Sequence, residues 1–128
     1  MPITGTVVRG SIVWVNLNPT KGHEQAGYRS AIVLSDGLID ESIADLAVLV
    51  PVISSRKGYS FEVEVPKGIH INGSLVGKPE LTILSGAALT MHTKSIDLSA
   101  RNAAVIGQVD VNSEFFIRVI SIVRAILA

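Results

Sequence analysis

The chain contains no cysteine. It therefore forms neither disulfide bonds nor zinc sites built on thiolates, and nothing in its composition indicates an oxidising compartment. The start of the sequence also lacks the positively charged and then apolar layout of a secretory signal, so we expect a cytoplasmic protein. Its three histidines (His23, His70 and His92) have no metal-binding spacing. We expect neither a metal nor another cofactor.

An excess of charge of either sign is also missing. Eleven Lys and Arg residues balance eleven Asp and Glu residues, whereas a domain that binds nucleic acids generally is usually basic. The cations in or beside loops with other reactive side chains are Lys21, Arg29, Arg56, Lys57 and Lys94. A separate acidic stretch contains Asp36, Asp40, Glu41 and Asp45. Such segregation can create a local positive field without net charge; ordinary mixing of surface charges is the alternative.

Charged residues are scarce, at 17% of the chain, while hydrophobic residues make up 48%. This balance predicts more apolar surface than a monomer usually exposes, and therefore a partner or self-association. The 128 residues suffice for one domain with its own core. Because we find no repeat, linker or low-complexity tract, we assign residues 1–128 to a single domain.

Short apolar or alternating runs, separated by turn signals such as Asp36-Gly37 and Asn72-Gly73, predict a mainly β protein. The runs are 11–17, 30–35, 46–53, 60–65, 74–76, 81–84, 87–91 and 103–109. Short strands at this spacing favour an antiparallel sheet that curls into a small barrel. Within 60–65, Val63 alternates with Glu62 and Glu64, which predicts one buried and one exposed face, with Phe61 on the buried side.

Two helical segments are expected. A short helical turn fits residues 96–101. The last segment has the apolar spacing i, i+3, i+4, i+7 from Phe116 onward, which predicts a C-terminal helix packed on the barrel. Its apolar stripe consists of Val119, Ile120, Val123 and Ile126. Asn112 or Ser113 can cap the start of this helix, and the helix is too short to span a bilayer.

A polar loop between two apolar runs carries the densest group of reactive side chains. Gly22 and Gly27 allow left-handed backbone in this loop. The reactive residues in or directly after it are His23, Glu24, Gln25 and Arg29. A polar loop held by two strands is a common way to present a binding or catalytic site. The alternative is a solvated hairpin tip in which Glu24 pairs with Arg29.

The sequence around this loop resembles the MazF/PemK family of bacterial toxins. The resemblance lies in Arg9-Gly10, in the stretch from Pro19 to Arg29 that contains GHEQAGYR, in Lys57-Gly58-Tyr59-Ser60-Phe61-Glu62-Val63, and in Lys94-Ser95-Ile96-Asp97. It implies a small SH3-like antiparallel barrel of the CcdB/PemK type with a C-terminal α-helix. It also implies a homodimeric toxin that cuts single-stranded mRNA at short sequences and is inhibited by a cognate antitoxin.

The implied reaction is a metal-free transesterification that leaves a 2′,3′-cyclic phosphate and a 5′-hydroxyl. It needs a base, an acid and a cation that stabilises the phosphorane. By the resemblance, Arg29 is the catalytic cation and Glu24 a base or a group that positions Arg29. His23 is an acid, a base or a phosphate ligand. The residues expected to hold RNA are Lys21, Gln25, Arg56, Lys57, Tyr59 and Lys94.

The chain departs from the family pattern at three places. Ile53 replaces a threonine and cannot donate a hydrogen bond; Ser54 could substitute for it only if the strand end bulges, because adjacent strand residues face opposite sides. Met91-His92 replaces an Asp-Gln pair, and His92 either takes the place of the lost titratable group or packs as an ordinary strand histidine. The chain is also longer than expected between Val65 and Met91, which suggests an enlarged loop or an extra hairpin.

Two alternatives to RNA cleavage stay open at this point. A related barrel poisons DNA gyrase without cutting nucleic acid, although that branch lacks the GHEQxGxR loop. A degenerate relative that binds RNA or antitoxin without cleavage is the other alternative, because of Ile53 and Met91.

Overall fold

The computed structural model describes residues 3–17, 27–40, 44–54 and 58–127. Its strands are β1 (Ser11–Asn16), β2 (Tyr28–Val33), β3 (Leu46–Ile53), β4 (Glu62–Glu64), β5 (Ala87–Leu89), β6 (Lys94–Asp97) and β7 (Ala104–Gln108). One helix, α1, spans Glu114–Leu127, and short 3-10 turns span Gly73–Val76 and Thr90–His92.

The strands form an antiparallel sheet in the order β4-β5-β3-β2-β1-β7, and β6 pairs with β3 beside this path. The sheet is roughly barrel-like, as predicted. In the described part of the chain no ladder joins β4 to β7, so strand pairing does not close the barrel.

Alternation along the central strands buries both faces of the sheet. On β1, Ile12 belongs to one apolar cluster and Val13 to another, and β2 divides Ile32 and Val33 in the same way. Covering both faces explains why these strands read as continuous apolar runs. The first cluster also takes in Phe115, Phe116, Val119 and Val123 of α1.

The C-terminal helix is confirmed, with two differences in detail. It begins at Glu114, and Ser113 caps it, because the Ser113 Oγ accepts a hydrogen bond from the Phe116 N–H at 3.2 Å. Val119 and Val123 are buried as expected. Ile126 is 43% exposed, so the predicted stripe extends beyond the part of the helix that meets the core.

Several local predictions were wrong. Residues 96 and 97 belong to β6, and the helical turn expected at 96–101 reduces to consecutive turns, with the Arg101 and Asn102 N–H groups bonded to the carbonyls of Leu98 and Ser99. The run 74–76 forms a 3-10 turn, and 81–84 makes only isolated pairings. Tertiary pairing with β3 overrides the local preference of 96–97.

The segment 66–86 is the stretch for which the sequence suggests an enlarged loop or an extra hairpin. It folds back on itself like a hairpin, since the Ile71 N–H bonds to the Thr82 carbonyl at 3.0 Å and the Leu84 N–H to the Ile69 carbonyl at 2.8 Å. The Asn72 N–H reaches the Ile106 carbonyl of β7 at 2.7 Å. The segment therefore connects β4 to the β7 edge that strand pairing leaves open.

Gly86 ends this segment in a backbone conformation that favours glycine. Its φ is +102°, and a Cβ atom there would collide with the Ile53 carbonyl oxygen. Gly77, on the same segment, also has a positive φ of +73°, but a Cβ atom there would meet nothing within 4 Å. Gly86 thus allows the segment to pack against the end of β3.

We expect Gly86→Ala to lower the free energy of unfolding by about 2–4 kcal/mol, because it adds a backbone clash to left-handed strain. Gly77→Ala, the matched control, should cost about 1 kcal/mol, since it adds strain alone. Urea denaturation of both variants measures the difference. Equal losses would show that the contact with Ile53 is not a tight one.

Candidate functional site

Arg29 lies near the start of β2, where this strand and β1 approach the 18–26 connection. It pairs with Val15 of β1 and is half-buried. The Leu17 N–H bonds to the Gly27 carbonyl at 2.9 Å and joins the two ends of the connection. The predicted site residues Lys21, His23, Glu24 and Gln25 lie outside the described residues.

Arg29 shares a face of the sheet with Ala31 and Val33, because side chains alternate along a strand. Ala31 pairs with Pro51, and the same register continued by two residues sets Arg29 opposite Ile53. Ile53 is 2% exposed and packs with Ala87 and Leu89. Where relatives are expected to hold a threonine hydroxyl beside the arginine, this chain therefore has a buried hydrocarbon side chain.

Ser54 follows the last residue of β3 and is exposed. The described pairings of β3 keep a regular register as far as Ile53, so alternation assigns Ser54 to the face of Val52. Ser54 and Arg29 nevertheless border one cavity at the end of the sheet. A catalytic role for Ser54 stays a prediction.

This cavity, which we call the serine cleft, has a volume of about 220 Å³. Its lining residues are Trp14, Tyr28, Arg29, Ser30, Val52, Ser54, Ile71, Leu81, Ile83, Leu84 and Ser85. The rings of Trp14 and Tyr28 stack with their centroids 6.2 Å apart and their planes 18° apart. Among the described residues, the cleft thus combines an aromatic surface with three serines and Arg29.

A second cavity of about 590 Å³, here called the histidine cavity, brings together two other predicted residues. It is lined by Gly58, Tyr59, Ser60, Phe61, Glu62, Leu89, Thr90, Met91 and His92. Two hydrogen bonds shape its walls: the Tyr59 N–H donates to Glu62 Oε2 at 3.0 Å, and Thr90 Oγ1 donates to the Phe61 carbonyl at 2.6 Å. His92 lies in the 3-10 turn, so the alternative of an ordinary strand histidine is wrong.

Of the other predicted RNA-binding cations, the structure describes Lys94, which lies on β6 opposite Leu49 and borders neither cavity. Arg56 and Lys57 lie outside the described residues. The candidate residues that the structure describes are therefore divided between the two cavities and β6.

Glu62 corrects the sequence-based interpretation of β4. Alternation predicts it on an exposed face, but it is 8% exposed, whereas Phe61, predicted inside, is 43% exposed. The reason is that Glu62 accepts the Tyr59 N–H within the turn, while Phe61 precedes the strand and lines the histidine cavity. Strand alternation does not reveal that this acid is buried. Glu62 was therefore not among the site residues predicted from the sequence.

In the described ranges, no three His, Asp or Glu side chains form a group that could hold a metal ion. Among the same residues, no helix has the length and apolar character needed to cross a membrane.

Comparison with known proteins identifies the family. Residues 8–127 match the family described as PemK-like, MazF-like toxin of type II toxin-antitoxin system. The chain belongs to this family. Its MazF-like relatives include the endoribonuclease toxin MazF of Escherichia coli K12, which is 37% identical over 100 residues, covering 78% of this chain and 77% of the relative.

Solved MazF structures share the fold. A MazF crystal structure from Deinococcus radiodurans superposes with a TM-score of 0.77 at 29% identity, covering 96% of this chain and 97% of that one. A MazE-MazF structure from the same organism has a TM-score of 0.71, also at 29% identity, and covers 96% of each chain. The MazF-like fold predicted from the sequence is therefore confirmed.

We expect Thr90→Val to lower the free energy of unfolding of this MazF-like protein by about 1–3 kcal/mol. Thr90 is buried, and valine would leave the Phe61 carbonyl without its donor at an almost unchanged side-chain volume. Thr82→Val, at an exposed threonine, is the control and should change stability by no more than about 0.5 kcal/mol. Urea denaturation tests both, and a Thr90→Val protein as stable as the control contradicts the prediction.

Proposed function

We propose that this protein is the toxin of a type II toxin-antitoxin pair and that it cleaves single-stranded mRNA, which inhibits translation and growth. Family membership over residues 8–127 carries the proposal. The E. coli relatives, which are named endoribonucleases, support the same activity. They favour cleavage over the gyrase-poisoning and degenerate alternatives.

The reaction we propose is an internal transesterification. The RNA 2′-hydroxyl loses its proton to a base and its oxygen attacks the adjacent phosphorus. The bond from phosphorus to the 5′-oxygen breaks, and an acid protonates that oxygen. The products are a 2′,3′-cyclic phosphate and a 5′-hydroxyl, and the protein needs no metal for this step.

Arg29 is the residue that we propose to stabilise the phosphorane. A guanidinium keeps its charge at any working pH and can donate two parallel hydrogen bonds to phosphate oxygens. The position of Arg29 near the start of β2, bordering a cleft at the end of the sheet, supports this role. We assign the removal of the 2′-proton to Glu24 and the protonation of the leaving oxygen to His23.

Ser54 and His92 are secondary catalytic candidates because they border the two cavities at this part of the sheet. Tyr59, half-exposed in the histidine cavity, can stack on a base. The remaining RNA contacts that we propose are phosphate or base contacts of Lys21, Gln25, Arg56, Lys57 and Lys94.

The proposed protein partner is a cognate antitoxin. MazF of Deinococcus radiodurans has been solved together with MazE, and a complex of the same kind is expected here. The mRNA substrate makes the cytoplasm the place of action.

We expect purified protein to cut a long mRNA in the presence of EDTA, leaving new 5′-hydroxyl ends at a short common sequence. Arg29→Ala should slow cleavage at least about 100-fold, because one donor to the developing charge is lost. Arg29→Lys should recover only part of the rate, since an ammonium group lacks the two-pronged geometry. Mapping of 5′ ends over time gives these rates.

Arg118→Ala is the matched control, because Arg118 is an exposed arginine on α1 and should leave the rate unchanged. Cleavage that EDTA abolishes contradicts the metal-free step. Intact RNA together with inhibited DNA gyrase would support gyrase poisoning. Intact RNA that is still bound would indicate the degenerate alternative.

We also propose a homodimer. Ile117, Ile126 and Leu127 of α1 remain exposed in the single chain, and apolar surface of this kind is typical of a face that a partner covers. Sedimentation equilibrium should give a mass of twice the 13.6 kDa of one chain. A mass of 13.6 kDa at micromolar concentration would contradict self-association.

A further inference from the structure

We propose that Glu62 is a positioning residue for RNA binding: its buried carboxylate fixes the turn at 59–62 and thereby holds the Tyr59 ring in place for the RNA. This inference rests on the proposed RNA cleavage and deepens it, because it gives a role to a buried acid that takes no part in the proposed reaction. The ring of Tyr59 contacts the RNA in this proposal, whereas Glu62 acts only through that ring.

Two hydrogen bonds that run in opposite directions join Glu62 to Tyr59. The Tyr59 N–H donates to Glu62 Oε2 at 3.0 Å, and the Glu62 N–H donates to the Tyr59 carbonyl at 3.2 Å. The first bond is charge-assisted when the carboxylate is ionised, and such bonds are stronger than those between neutral groups. Both backbone polar groups of Tyr59 are therefore bonded to the same residue, which fixes the backbone that carries the ring.

The carboxylate of Glu62 is directed into the protein. Glu62 is 8% exposed, and its second carboxylate oxygen, Oε1, is buried. A negative group does not attract the phosphates of RNA, so direct contact with the substrate does not explain an acid at this cavity. The hydrogen bond to the Tyr59 N–H does explain it.

A second pair of hydrogen bonds holds the same turn from the side of the 3-10 turn that contains Thr90. Thr90 Oγ1 donates to the Phe61 carbonyl at 2.6 Å, and Thr93 Oγ1 donates to the Thr90 carbonyl at 2.7 Å. Thr90 is itself buried. Tyr59, by contrast, is 50% exposed. An exposed ring on an ordered backbone lowers the ordering cost of binding.

The sheet places this ring within reach of an RNA strand bound at Arg29. The register sets Ile53 opposite Arg29, and Ile53 pairs with Ala87 of β5. Leu89 lies two residues further along β5 and lines the histidine cavity together with Tyr59. Strand spacings of about 4.8 Å and a rise of about 3.4 Å per residue put Leu89 about 12 Å from Arg29. A base a short distance along the strand can therefore stack on Tyr59.

The test measures KM and kcat on a fluorophore- and quencher-labelled RNA oligonucleotide that contains the best cleavage site mapped for the full-length protein. Tyr59→Ala should raise KM about 5- to 150-fold, from the loss of one stacked base. Glu62→Met keeps the length of the side chain but lacks the acceptor, and it should raise KM at least about 3-fold. Its kcat should stay unchanged, because a misplaced ring weakens the binding of substrate and transition state equally.

Three further variants separate positioning from general effects on the fold. Glu62→Gln retains an oxygen acceptor and should keep KM within about twofold of the wild type. Glu64→Met is the matched control, since it removes the same charge at an exposed glutamate of the same strand and should change neither constant. The double variant Tyr59→Ala/Glu62→Met should have the KM of Tyr59→Ala alone, because the ring that Glu62 positions is then absent.

An unchanged KM in Tyr59→Ala or in Glu62→Met overturns the positioning role while leaving the proposed cleavage intact. Multiplied effects in the double variant also overturn it, as does a Glu62→Gln protein as impaired as Glu62→Met. If Glu62→Met does not fold, hydrogen exchange of the wild-type Tyr59 amide decides. We expect slow exchange, and exchange at the rate of an unstructured peptide overturns the proposal.

A wild-type protein that cuts no RNA contradicts the proposed function instead. The role of Glu62 is then judged by the affinities of the same variants for the oligonucleotide, with the same expected order. Equal affinities of wild type, Tyr59→Ala and Glu62→Met overturn it.

Discussion

The antiparallel pairing of β1, β2 and β3 is the constraint on which the candidate site depends. The pairings of Val15 with Arg29 and of Ala31 with Pro51 set Arg29 at one end of the sheet. Because apolar clusters cover both faces of these strands, a slip of one residue would move every side chain to the opposite cluster. Burial of the side chains in these two clusters therefore fixes the strand register, and the register fixes the position of Arg29 in the sheet.

Arg29 lies between two different chemical environments. The register of β2 and β3 sets it opposite buried Ile53 on its own face of the sheet. Near the start of β2 it also borders the serine cleft, with its aromatic pair and hydroxyl groups. A guanidinium against apolar neighbours interacts more strongly with a phosphate than one in open water, since the local dielectric is lower. Ile53 cannot donate a hydrogen bond, but its presence does not remove the electrostatic basis of the proposed step.

The predicted and observed structures agree where local chemistry and burial point the same way. Ser113 caps α1, and Val119 and Val123 are buried, because the helical spacing and the cap are local features. They disagree where contact with a distant element, or a hydrogen bond within a turn, determines the local conformation or burial. Residues 96–97 pair with β3 instead of forming a turn. Glu62 is buried because its carboxylate accepts the Tyr59 N–H, a contact that strand alternation does not reveal.

Residue types at short spacings were enough to predict the family, the mainly β architecture and Arg29 as the central candidate, because each of these depends on local patterns. Only the folded chain reveals that Arg29 and Ser54 border one cavity, that Tyr59 and His92 border another, and that the 66–86 segment forms a wall of the serine cleft. These residues are far apart along the chain. Their proximity arises from sheet register and from the packing of Gly86 against Ile53, which no local pattern encodes.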